Sequence, residues 1–184
     1  MCIRDSLNDG YHTSDGDVGC YYRPEVGNMF LIGSEDPDCD PQEWVDPDVF
    51  YAGQESYGRN NQLTVEQWNA QTYRCARRVP DMAIPNQPRG VCDLYDCSDD
   101  WIPIYDKSSM RGFYMAIGSS GNQYKNAPVA GHMMAELIDK CEKGLDHDKE
   151  PLQYTLPHIG RTIDVGFFSR NREINYNSSF SVNG

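Results

Sequence analysis

Apolar and polar residues roughly alternate over positions 17–23, and Met29-Phe30-Leu31-Ile32 forms a short apolar run. Pro24-Glu25-Val26-Gly27-Asn28 supplies turn chemistry between them, so the segment predicts a β-hairpin. Residues 34–61 are rich in Asp, Pro, Gly and Asn without a period, which predicts a long surface loop. At Thr64 the period changes. Thr64-Val65-Glu66-Gln67 has the capping-box pattern, and Val65, Trp68, Thr72, Cys75, Ala76 and Val79 recur at helical spacing as far as Pro80. An irregular connector follows, and two short strands are predicted over 91–96 and 101–105. The apolar run over 112–117 ends in Gly118-Ser119-Ser120-Gly121-Asn122-Gln123, after which Ala130, Met133, Met134, Leu137, Ile138 and Cys141 form one helical stripe. Pro128 suits the first turn, Lys140 and Lys143 complement the C-terminal end, and Gly144 can close the helix. This strand, glycine loop and helix form the best-defined unit. The tail over 145–184 has little periodicity.

A chain of 184 residues is one domain or a piece of a larger one. With 16 basic and 28 acidic residues the net charge is -12, which repels a phosphate backbone, so nucleic acid is not an expected partner. No apolar run approaches the ~20 residues needed to cross a bilayer. The seven cysteines are an odd set whose closest pair, Cys92 and Cys97, has no metal or disulfide spacing. Free thiols in a reducing, cytoplasmic compartment are therefore expected, since no stretch shows the basic, apolar and small-residue pattern of a secretion signal. Met1-Cys2-Ile3-Arg4-Asp5-Ser6 resembles a translated library-adapter start. Residues 1–6 are expected to be a scar, with the natural polypeptide beginning upstream of Leu7.

Chemistry concentrates in the loop over 118–125. A helix start leaves up to four N–H groups without intrahelical partners and carries partial positive charge, so an anionic or carbonyl oxygen can dock there. Gly118 and Gly121 permit close backbone approach, and Lys125 places a cation beside it. The same residues also suit an ordinary tight connection with an exposed lysine. Neither phosphate-binding glycine fingerprint occurs. Asn122 stands where a serine-hydrolase elbow needs its second glycine. Asp36, Asp38 and Asp40 have calcium-loop spacing, but Pro41 and Pro47 occupy the positions needing Gly and Glu, so no metal is expected there. Asp146-His147-Asp148 reads as a solvated loop before it reads as a metal site, and His132 as a surface histidine.

Four segments in order resemble a known family. The run from Gly112 through Gly118-Ser119-Ser120-Gly121-Asn122-Gln123-Tyr124-Lys125 to Pro128 resembles the C-terminal flavin-contacting segment of FAD-dependent amine oxidoreductases of the D-amino-acid oxidase and sarcosine oxidase type. Residues 21–33 resemble that family's substrate-domain hairpin. Asp99-Asp100-Trp101-Ile102-Pro103-Ile104 resembles the segment before its flavin strand, and Phe167-Phe168-Ser169-Arg170-Asn171-Arg172 its closing motif.

The resemblance implies an α+β chain, a fragment of an α/β flavoprotein. It would comprise an antiparallel substrate-domain sheet plus the C-terminal strand, loop and helix of a Rossmann-like FAD-binding domain. Residues 7–89 would be the substrate-domain portion, 90–144 the end of that domain with the flavin-domain unit, and 145–184 a C-terminal tail. The implied cofactor is FAD, with Gly118, Ser119, Ser120, Gly121, Asn122, Gln123 and Lys125 contacting it and Lys125 also reaching the substrate carboxylate. The implied partners are a small amine or N-methyl amino acid substrate and a missing N-terminal FAD-binding half, without which turnover is not expected. Leu31 stands where oxidase members carry a lysine that promotes reaction with dioxygen, which favours a dehydrogenase. Cys92 lies near the position of a cysteine that tethers flavin in some members. The rival reading is a non-enzymatic acidic domain that binds a partner or a small anion.

Overall fold

The computed structural model describes residues 11–27, 29–35, 44–48, 50 and 64–180. Residues 1–6, the Asp36, Asp38 and Asp40 spacing and most of the loop over 34–61 lie outside the described residues. Helices and antiparallel strands are mixed, so the fold is α+β. The chain divides into two units, Met1–Leu94 and Tyr95–Gly184.

In the first unit β1 (Thr13–Asp15), β2 (Cys20–Glu25) and β3 (Met29–Ser34) form one antiparallel sheet in that order. The β2–β3 hairpin pairs Cys20 with Ser34 and Tyr22 with Ile32, starting three residues later than the alternation suggests. β1 pairs only with residues 20–22. Pro24 therefore faces no strand on that side, where a missing N–H costs no ladder bond. Helix α1 (Val65–Arg78) packs on β2 and β3, burying Thr72 and Cys75. Thr64 caps it by accepting from Gln67 N at 3.1 Å. Arg78 ties its last turn to β1 through Asp15, Nε to Oδ2 at 2.5 Å. A Cβ on Gly33 would run into the outer end of the Tyr21 ring, so any larger residue there would require that ring to swing aside.

The second unit holds two hairpins and a helix. β4 (Ile104–Lys107) pairs with β5 (Tyr114–Ile117), with Tyr105 opposite Ala116. A 3-10 turn (Tyr124–Asn126) leads into α2 (Ala127–Glu142), whose Pro128 lies in the first turn. Met133 and Leu137 are buried, Ala130, Met134 and Cys141 lie partly buried against them, and Ile138 is exposed. The apolar stripe is thus narrower than its sequence pattern. The tail is more ordered than expected: β6 (Gln153–Thr155) and β7 (Thr162–Asp164) form a hairpin, followed by a 3-10 turn (Val165–Phe168). Leu152, Tyr154 and Val165 complete the core with Tyr105, Met133 and Leu137.

Two strand boundaries differ from the sequence reading. Residues 91–96 are not a strand. The strand expected over 101–105 begins only at Ile104, because Trp101 has a left-handed φ of 61° and the Asp100 carboxylate accepts Ile102 N at 3.1 Å. A bulky residue in that region cannot continue a β ladder.

Candidate functional site

β5 delivers the chain to a loop in which Gly118, Ser120 and Gly121 have φ of 68°, 48° and 74°. Asp96 organises its inner side. One carboxylate oxygen accepts a short bond from Gly118 N, and the other accepts Ser119 N at 3.1 Å and Ser119 Oγ at 2.6 Å. Ser120 N donates to the Asp96 carbonyl at 2.7 Å, and Ser120 is fully buried. Burial alone would raise the Asp96 carboxyl, but the donors from Ser119 and Gly118 outweigh it and hold the group below its usual range. A Cβ on Gly118 would lie 3.2 Å from that of Ser98, so packing as well as φ demands glycine there.

Past Gly121 the loop faces two ways. Gly121 is exposed, and its N–H has no acceptor among the described residues. Tyr124 and Lys125 are exposed too. On the other side Asn122 is buried, and Gln123 Oε1 accepts from Tyr105 Oη at 3.1 Å and Asn126 Nδ2 at 2.9 Å. Gln123 Nε2 donates to Asn122 Oδ1. These carboxamides border a cavity of about 600 Å³ whose walls include Trp101, Pro103, Met133, Ile163 and Phe167. No charged side chain lines it among the described residues.

Trp101 is a fixed wall. It is 6% exposed and meets Tyr95 edge-on at 6.2 Å. Its left-handed backbone costs about 1–3 kcal/mol and persists only where the surroundings over-determine it. Asp100 beside it accepts from Ser98 Oγ, Ile102 N, Asn175 N and two nitrogens of Arg172. Burial would raise the Asp100 carboxyl, but Arg172 and the backbone donors pull it down to about 2. Arg172 Nη2 also donates to the Ile102 carbonyl at 2.7 Å, closing the turn.

A second polar cluster underlies β4. Asp106, fully buried, accepts Arg170 N at 2.9 Å, Arg170 Nη1 at 3.0 Å and Ser169 Oγ at 3.1 Å. Arg170 also forks onto Asp148 at 2.9 and 3.0 Å, holding that carboxyl down at about 2, with Lys107 assisting. The Asp146-His147-Asp148 segment is not the solvated loop expected of it. His147 is 1% exposed; its Nδ1 accepts Leu152 N at 3.0 Å, and its Nε2 lies 3.7 Å from Asp106. Asp146 pairs with Lys107 and Lys149.

Of the seven residues singled out by sequence, Asn122 and Gln123 line the cavity, Gly118, Ser119 and Ser120 bind Asp96, and Gly121 and Lys125 face outward. The cavity residues Trp101, Asn126, Asn175 and Phe167, and the organising Asp96, were missed. Phe167 and Trp101 stood within recognised segments, whereas nothing in the sequence marked Asp96. In the first unit Cys92 is half-buried, which raises its thiol, and Leu31 lies on β3. His132 is exposed.

Residues 3–137 match the family model described as DAO, FAD dependent oxidoreductase. The chain belongs to this family of FAD-dependent oxidoreductases. No curated protein and no solved structure matches it. The family depends on FAD, and on the outer side of the loop the exposed Gly121 amide and the Lys125 cation are of a kind that suits an oxygen-bearing ring edge. Among the described residues no helix is long and apolar enough to cross a membrane, and no metal-ligating cluster forms.

Proposed function

We propose that this chain is the C-terminal part of a FAD-dependent oxidoreductase that oxidises the C–N bond of a small amine or N-methyl amino acid. An N-terminal FAD-binding half carrying the dinucleotide fingerprint completes it. The β5–loop–α2 unit is then the last strand and helix of a Rossmann-like domain, and the sheet of the first unit belongs to the substrate domain. The observation that carries this reading is the glycine loop. Its inner amides are held by Asp96, while the Gly121 amide and Lys125 face outward at a helix start.

When bound, FAD would supply a two-electron acceptor for the hydride on the carbon next to the amine nitrogen. The chain's own residues position and stabilise. Gly118, Ser119 and Ser120 fix the loop through Asp96. The exposed Gly121 amide would direct a donor at the oxygen edge of the ring, where negative charge grows on reduction, while Asn122 and Gln123 stand on the other side of the loop at the cavity. Lys125 adds a cation to that field and can hold a substrate carboxylate. Leu31 at the position of an oxygen-promoting lysine supports a dehydrogenase. The free thiols, Cys20 and Cys75 among them, suit a reducing cytoplasm.

The test joins this chain to the upstream dinucleotide-binding half from the same locus and records the visible spectrum of the folded product. A bound yellow flavin, bleached by an amine, is expected. A folded product without chromophore would overturn the reading, as would robust amine oxidation by the 184 residues alone.

A further inference from the structure

His147 makes one hydrogen bond and leaves a second unmade. Its ring is buried, Nδ1 accepts Leu152 N at 3.0 Å, and the proton of the neutral imidazole therefore sits on Nε2. That Nε2 has no hydrogen-bond partner, and Oδ1 of the fully buried Asp106 stands 3.7 Å away. Asp106 has capacity for it: Oδ2 accepts Ser169 Oγ, Arg170 N and Arg170 Nη1, whereas Oδ1 accepts Lys107 N at 2.7 Å and keeps a lone pair to spare. Closing the gap to a charge-assisted bond takes a shift of about 1 Å. On the other edge of the ring, Leu152 governs the hairpin that follows. It lies directly before β6, its carbonyl accepts Val165 N at 2.9 Å just after β7, and its side chain is part of the core.

The charges around the ring decide what a proton does there. Asp106 and Lys107 come from β4, Asp148 follows His147 in the chain, Asp164 ends β7, and Arg170 reaches in from the tail to both Asp106 and Asp148. Cys141 on α2 is neutral, since burial raises its thiol, and Asp146 is paired with Lys107 and Lys149. A proton arriving from solvent binds Nδ1, which then faces the Leu152 N–H donor to donor, while the imidazolium gains an attraction to Asp106. From this arrangement we infer that His147 is a two-position latch: neutral, it holds the Leu152 amide and closes the β6–β7 hairpin; protonated, it releases Leu152, donates from Nε2 to Asp106 Oδ1 and frees the hairpin while α2 stays folded. Burial disfavours the charged ring in the closed position, and the carboxylates of Asp106 and Asp148 favour it once Leu152 is released, so acid shifts the balance to the open hairpin. The hairpin and its turn supply Ile163 and Leu156 to the cavity beside the glycine loop, and the latch thereby sets how firmly that wall is held.

The test is amide hydrogen exchange on the full 184-residue chain between pH 7 and pH 4.5, each rate divided by its intrinsic value at that pH. Protection at Leu152 and Val165 should fall about tenfold or more across this range, while protection at Met133 and Leu137 in α2 changes by less than about twofold. In His147→Gln, whose carboxamide can accept the Leu152 amide and takes up no proton, protection at Leu152 and Val165 should stay level. The ring nitrogens of His147, followed by nitrogen chemical shift in the unmutated chain, should show Nδ1 gaining its proton with the same midpoint as the loss of Leu152 protection; this reading serves if His147→Gln loses its far-ultraviolet circular dichroism. Protection at Leu152 that is unchanged down to pH 4.5, a loss shared equally by Leu152, Val165, Met133 and Leu137, a midpoint that differs from that of Nδ1, or the same pH dependence in folded His147→Gln would each overturn the latch.

Discussion

Arg172 grips Asp100 through two nitrogens, Nη2 at 2.6 Å and Nε at 3.0 Å, although the residues stand 72 positions apart. The pair pins the tail to the turn that carries Trp101. Removing one member leaves the other charge buried without its partner, so Arg172→Ala and Asp100→Ala should each destabilise the chain by about 3–5 kcal/mol in urea denaturation. Arg172→Lys keeps the charge and loses the fork, so it should recover only part of that loss.

Acid should loosen the same unit. Asp100 and Asp148 both have carboxyls drawn from 3.8 to about 2, so the unfolded chain takes up these protons more readily than the folded one. Their contribution is therefore complete above about pH 4 and drains away as the pH falls towards 2. Urea midpoints taken from pH 5 to pH 2 should fall, and Asp100→Asn should show a shallower fall from a lower start.

His147 should be neutral at pH 7 with its proton on Nε2, since Nδ1 accepts the Leu152 amide. Burial lowers this group from 6.5, partly opposed by the carboxylates of Asp106 and Asp148. The unfolded imidazole then protonates first, so stability is complete above pH 6.5 and declines as the pH drops below it. Long-range proton–nitrogen spectra should show the Nε2–H tautomer, and a His147→Gln variant should have a flatter stability profile between pH 6.5 and 5.

Asp96→Ala should strip two backbone donors of their acceptor. About 1–3 kcal/mol of stability should be lost, and amide exchange at Gly118 and Ser119 should accelerate more than at Met133 or Leu137 in the core. Unchanged exchange at the loop would mean that Asp96 does not hold it.

In the completed enzyme, Lys125→Met should weaken carboxylated amines by roughly 30-fold, about 2 kcal/mol, while neutral amines are nearly unaffected. Steady-state kinetics on matched substrate pairs reads the difference. Equal losses would assign Lys125 to the cofactor instead.

Local chemistry was legible in the sequence, and long-range chemistry was not. Thr64 announces its helix because the cap, the first turn and the apolar stripe lie within a few positions, and the glycine loop is marked by the change of period after Ile117. The reading of Trp101 as a strand residue failed because its conformation depends on Arg172, far along the chain. His147 sounded like surface because Asp neighbours flank it, yet Arg170 and Lys107 neutralise those neighbours and let the imidazole sink. The β6–β7 hairpin is three residues per strand, too short for alternation to rise above its polar surroundings.

The Asp96 carboxylate gives the glycine loop an internal anchor. A turn with three left-handed residues would ordinarily wander until something external ordered it, and the entropy of settling it would be charged against affinity. With the anchor already built from the chain itself, a ring docking there as proposed would meet a finished contour, and the free energy of docking would go into holding the ring.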